Sequence, residues 1–206
     1  MVNMQVQKQN ENKKTNNSLL EEGKYSALEV ARLLLSYNPK REYFEKERQN
    51  FQFGSSQKEK KMISIRENDK TPTLGNFRLN KMLHICYMLY YSKHGKPLFF
   101  EYLRAYSRGA LVYKVFMNFF QLSREKLEPQ QISIEEEDKR FIGKTYYYFK
   151  NISDQELEDF SHSDITWKER RKKIMEEDED RMIIDEKAKG FYRDMLRHIV
   201  NEVGLN

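Results

Sequence analysis

Cysteine is almost missing from this chain of 206 residues. Cys86 stands alone, so no intrachain disulfide can form, and a reducing compartment is expected. Glycine occurs eight times and proline four. The glycines do not cluster into a loop that could cradle phosphates, which argues against nucleotide binding. No apolar run approaches the roughly 20 residues needed to span a bilayer. The start, MVNMQVQKQNENKK, has no signal-peptide core, so a cytoplasmic protein is expected. The four histidines (His84, His94, His162 and His198) form no close pair with one another, whereas zinc sites want such pairs. His84 and Cys86 are predicted on opposite flanks of one helix, so no metal is expected. No serine sits in a G-x-S-x-G elbow. The acidic runs 135–138 and 176–180 read as solvated helix faces. Neither a catalytic residue nor a cofactor is expected, and hence no enzyme.

Aromatics, by contrast, are abundant: 13 Tyr and 13 Phe, 13% of the chain with its single Trp. A disordered chain is poor in them, so a folded core is predicted, and this length suits one good-sized core. Charged residues make up 33% and the formal net charge is +5. Residues 76–131 carry nine basic and three acidic side chains, and residues 132–187 carry eleven and seventeen. These opposite local excesses can pair internally or face different partners. They weaken the case for a nucleic-acid-binding regulator, which wants one coherent basic face. The basic run 168–173 lies close to the acidic run 176–180, near enough along a helix for mutual neutralisation.

Residues 1–24 are polar with few apolar anchors and are predicted to be a disordered tail. Residues 25–206 are predicted to form a single all-α domain of about six to eight helices, with a long connector at 52–75. Ser26-Ala-Leu-Glu29 is a capping box, opening a helix that should stop near Asn38-Pro39. A short charged helix is predicted over 41–50. Ser133-Ile-Glu-Glu136 predicts a helix with Phe141, Ile142, Thr145, Tyr146 and Phe149 inward. Ser153-Asp-Gln-Glu156 opens a short helix through Leu157 and Phe160, and Asp185 caps a last helix carrying Tyr192 and Leu196. Gly190 in that helix suggests close approach of a neighbour. No β-alternation persists long enough to predict a sheet.

The strongest pattern lies at 76–120. Leu79, Met82, Leu83, Cys86, Tyr87, Leu89 and Tyr90 fall at helical spacing on one broad apolar face, with Lys81 at its polar edge. Gly95 sits where a left-handed C-cap would close the helix, and Pro97 blocks continuation. After Gly109, which suits a turn with positive φ, the helical pattern restarts at Leu111. The intervening segment gathers Glu101, Tyr102, Arg104, Tyr106 and Arg108. Internal ion pairs and a partner-contact surface both account for such a group. Later, His162 and Trp167 stand where they could pack together across a helix end.

The order of these pieces resembles the Panacea domain, an antitoxin-associated family with SocA-type proteolytic adaptors and phage-associated members. Leu79, Lys81, Met82, Leu83 and Tyr87 match its first helical motif. Gly95, Pro97, Leu98, Phe99 and Glu101 match the next, and Ala105, Tyr106, Gly109, Ala110 and Leu111 the third. Leu157, Ser161, His162 and Trp167 match the last. Two positions depart: Tyr106 stands for the usual Trp, and Ala110 for the Pro after the Gly. The resemblance implies a helical protein-binding module that neutralises a toxin encoded nearby or, in adaptors, delivers it to a cytoplasmic protease. The candidate partner-contact residues are Glu101, Tyr102, Arg104, Tyr106, Arg108 and Gly109. Leu79, Lys81, Leu83, Tyr87, His162 and Trp167 are expected to be structural.

Overall fold

The computed structural model describes residues 23–39, 76–106, 108–119, 132–177 and 180–205. Among them the fold is all-α apart from one short hairpin. The elements are α1 (Ala27–Ser36), α2 (Asn76–His94), β1 (Arg104–Tyr106), β2 (Gly109–Leu111), α3 (Tyr113–Asn118), α4 (Glu136–Phe149), α5 (Asp154–His162), α6 (Ile165–Glu177), α7 (Glu186–Met195) and α8 (Arg197–Glu202). Most of the predicted tail, the charged helix at 41–50 and the connector at 52–75 lie outside the described residues.

The helix ends follow their capping residues. Ser26 and Glu29 form a reciprocal box at α1, and Ser153 and Glu156 do the same at α5. The Asp185 side chain accepts from Ala188 N at α7. Gly95 takes φ +68 after α2, as a left-handed cap requires. Helix α4 begins later than predicted: its N-cap is Glu135, and Ser133 does not cap it. The last helix breaks at Leu196 into α7 and α8. Gly190 marks no close approach, since a Cβ there would meet nothing.

Helix α2 is the hub. It packs against α1, α3, α4, α5, α7, α8 and β2. The predicted apolar face is buried from Leu79 to Tyr90, and Ile85 and Met88 outside it are buried too. The expected polar edge is not at the surface: Arg78, Asn80, Lys81 and His84 are all buried. Neighbours close round the whole circumference, so a helix read as amphipathic is in fact surrounded. Cys86 is a buried core residue whose thiol is pushed up by burial.

The N-terminal boundary also differs from expectation. Gly23 and Lys24, predicted as tail, are packed in place. Tyr25 pairs with the chain around Phe99, donating from its N–H to Leu98 O at 3.1 Å and accepting at its carbonyl from Phe100 N at 3.0 Å. Its phenol and the Lys24 ammonium both donate to Asp138, at 2.6 and 2.7 Å. Burial opposes ionisation of Asp138, but those two donors outweigh it and hold the carboxyl below its usual range. Gly23 lies against the Phe99 backbone, where a Cβ would collide with main-chain atoms.

Two substitutions test this packing. Leu83→Ala should cost about 2–5 kcal/mol, as for a buried leucine. Gly23→Ala should cost about 1–3 kcal/mol, because main chain cannot yield as a side chain does. Urea unfolding of each variant checks both values, and an unchanged midpoint for Gly23→Ala would show that this close approach is absent.

Candidate functional site

Residues 104–111, read from sequence as a connector, form an antiparallel hairpin pairing Arg104 with Leu111, Ala105 with Ala110 and Tyr106 with Gly109. Strands of three residues carry too little alternation to be seen in sequence. A distant segment completes the outer edge of β1: Ala105 N donates to Asp180 O at 2.7 Å and Met182 N to Leu103 O at 2.8 Å.

Side chains from several helices hold the hairpin. Trp167 Nε1 donates to Tyr106 O at 2.9 Å, and Arg171 to Ala105 O at 3.1 Å. Asn80 Oδ1 accepts from Val112 N at 3.2 Å. Lys81 Nζ donates to Arg108 O and to Ser161 Oγ. Gly109 has φ +107, and a Cβ there would collide with Lys81 Nζ and Ser161 Oγ. Glycine is therefore required both by conformation and by space.

Beneath the hairpin lies a buried polar network that the sequence reading did not assemble. Ser161 Oγ lies 3.0 Å from His84 Nδ1, and His84 Nε2 lies 2.7 Å from Asp164 Oδ2. Asp164 also accepts from Tyr192 Oη at 2.8 Å and from the N–H and hydroxyl of Thr166. When His84 Nε2–H donates to Asp164, Nδ1 is left to accept from Ser161. Ser161 in turn accepts from Lys81, so the donors run in one direction. Burial would raise the Asp164 carboxyl, but hydrogen bonds from His84, Thr166 and Tyr192 hold it below its usual range. Burial and the Asp164 charge push the Tyr192 phenol up. The order Ser–His–Asp is that of a nucleophile relay. Here all three side chains have 0% exposure and the hairpin covers Ser161. As folded, the network fastens the hairpin and is closed to solvent. Asp164 also opens α6, accepting from Thr166 N at 2.8 Å.

The residues singled out in sequence take different places. Glu101 caps α1, accepting from Ala27 N at 2.7 Å and Ser26 Oγ at 3.2 Å. Arg104 grips Asp180 at 2.7 and 3.0 Å and donates to Tyr102 Oη at 2.7 Å. Arg108 faces Glu158 at 3.7 Å. Tyr106 is half-buried and offers its carbonyl to Trp167. His162 stacks on Trp167, with ring centroids 4.1 Å apart and planes 5° apart. Burial, with the Lys81 charge, lowers the His162 pKa. Leu79, Lys81, Leu83 and Tyr87 are all buried on α2. Among the described residues, no three His, Cys, Asp or Glu side chains gather as a metal set.

What stays open to solvent is aromatic. Phe100 is 61% exposed, Tyr102 43%, Tyr113 40% and Met117 43%. Arg104 lies 5.0 Å from the Tyr102 ring and 5.5 Å from that of Tyr113, and Arg181 stacks on Tyr102 at 4.9 Å. Met117 follows Tyr113 by one turn of α3. The guanidiniums thus knit one exposed surface from the 99–103 segment, the hairpin, α3 and the 180–182 segment.

No family model matches the chain, and no curated protein or solved structure matches it.

The network has a pH signature. Asp164 and Asp138 are both held below the ordinary carboxylate pKa of about 4. Their stabilisation is therefore fully present above that pH and lost as pH falls through the folded-state values. Urea unfolding across the acid range should show stability falling below about pH 4. Asp164→Asn should start about 1–3 kcal/mol lower, as for a lost buried hydrogen-bond acceptor, and fall less steeply, since one depressed carboxyl is gone.

Proposed function

We propose that this chain is a protein-binding module of the antitoxin or adaptor kind, presenting the surface around Phe100, Tyr102, Tyr113 and Met117 to a protein toxin encoded nearby. One observation carries the proposal. Tyr102 and Tyr113 stand exposed around Arg104, with Phe100 and Met117 exposed on the same two segments, on a backbone fixed by buried hydrogen bonds. Binding interfaces concentrate their energy in aromatic and arginine anchors of this sort. A rigid support lowers the ordering cost of binding. The motif order shared with Panacea-type domains points the same way and suggests the toxin as the partner class.

Within the candidate set, the proposed roles differ. Tyr102, with Phe100 and Tyr113 beside it, would contact the partner. Arg104 would position Tyr102 through its bond to the phenol and its grip on Asp180. Glu101, Arg108 and Gly109 would hold the surface from behind.

Co-expression with the neighbouring small reading frame, read by pull-down and by growth, tests this. Phe100→Ala and Tyr102→Ala should keep the thermal midpoint of the free protein. Each should weaken capture by at least about tenfold, as hot-spot truncations do. Gly109→Val should instead lower the melting temperature together with capture. Normal capture by the folded Phe100 and Tyr102 variants would move the interface elsewhere. A tight duplex-DNA complex with steep salt dependence would replace the proposal with a nucleic-acid regulator.

A further inference from the structure

A groove of about 780 Å³ opens between α1, α4 and α8. Its apolar walls come from Leu33 and Tyr37 of α1, Tyr147 of α4 and Val203 after α8. The Tyr37 phenol crosses Gly143, where a Cβ would stand 3.2 Å from its oxygen, and donates to Lys139 O at 2.8 Å. Tyr146 packs inward against Tyr37, with ring centroids 5.7 Å apart. Its neighbour Tyr147 turns outward and is 54% exposed.

The charges on the rim do not balance. Glu136 is taken by Lys139 at 2.6 Å, while Glu202 accepts from the neutral Tyr148 phenol at 2.9 Å and keeps its charge. Lys144 donates to the carbonyl of Gly204, a neutral group. Arg140 is exposed and makes no hydrogen bond or ion pair among the described residues. With Lys150 beside the groove, 4.9 Å over the Tyr147 ring, four cations stand against two carboxylates. An apolar trough thus lies under an excess of positive charge.

We propose that this groove takes an acidic amphipathic peptide segment from a protein partner. Leucine-like side chains would seat against Leu33, Tyr37 and Val203, and flanking carboxylates would meet Arg140 and Lys144. That is the helix-in-groove mode of recognition, with charge setting the choice of partner. Single-stranded nucleic acid fits less well, because bases need open aromatic faces to stack on. Tyr146 already stacks on Tyr37, and Lys150 covers Tyr147. Helices α4 and α8 contribute nothing to the hairpin surface, so this site stands or fails separately from that one.

The test uses a fluorescein-labelled helical peptide of about 15 residues, with leucines along one face and glutamates beside them. Its anisotropy is titrated with the full chain. A second peptide carries lysine in place of every glutamate, and a labelled single-stranded oligonucleotide is the third probe. The acidic peptide should bind, more weakly as salt rises, and the lysine peptide should not. Arg140→Glu and Tyr147→Ala should each weaken acidic-peptide binding by about tenfold or more while the thermal midpoint holds. The proposal is overturned if the acidic peptide fails to bind, or if both peptides bind alike. It is equally overturned if Arg140→Glu leaves affinity unchanged, or if the oligonucleotide binds tightly and the acidic peptide does not.

Discussion

Polar side chains buried on a helix with neighbours on every side are costly unless they find partners. Helix α2 carries four such groups in its first three turns, and each is answered by a different part of the fold. Arg78 pairs with Asp154 at 2.6 Å, at the start of α5. Asn80 receives the backbone where the hairpin ends, Lys81 receives the hairpin tip, and His84 receives Ser161 and Asp164. An unanswered buried donor or charge is costly. These four residues therefore specify where α5, α6 and the hairpin must sit, beyond what apolar packing alone would decide.

The hairpin inherits its position from that requirement. Its inner side rests on buried alanines, Ala105 and Ala110, which let backbone approach the core closely. Its carbonyls are occupied by Trp167, Arg171 and Lys81, so it cannot slide by a residue without stranding them. The aromatic side chains above it are therefore displayed from a fixed frame. A binding surface gains from such a frame, since less freedom remains to be lost on association.

Much of this order was legible in the chain. Ser26–Glu29, Ser153–Glu156 and Asp185 each announced a helix start through local hydrogen bonding, a property of a few adjacent residues. The apolar positions of α2 and α4 were legible for the same reason. The hairpin was not, because its third backbone partner lies at 180–182. The His84–Asp164 pairing spans 80 residues, and no spacing rule reaches so far. A hint was nonetheless present. Lys81 and His84 interrupt a helix rich in apolar residues, and the run Ser-His-Ser-Asp-Ile-Thr at 161–166 concentrates hydroxyls and a carboxylate where a core helix begins. Complementary polar residues in two otherwise buried helices are the signal that could have joined them. The ambiguity over Arg104 and Arg108 was likewise tertiary, since their partners Asp180 and Glu158 come from other elements.

The central place of α2 has a consequence for how the protein is made. It is synthesised well before most of its covering: Tyr192, which packs against Tyr91, follows it by almost half the chain. At about 5–20 residues per second, the ribosome leaves the apolar circumference of α2 without its final neighbours for roughly 5–20 s. During that interval the nascent chain presents a largely hydrophobic helix without its last neighbours. Transiently exposed apolar surface of this kind is prone to aggregation, and the emergence of α7 is what ends the exposure.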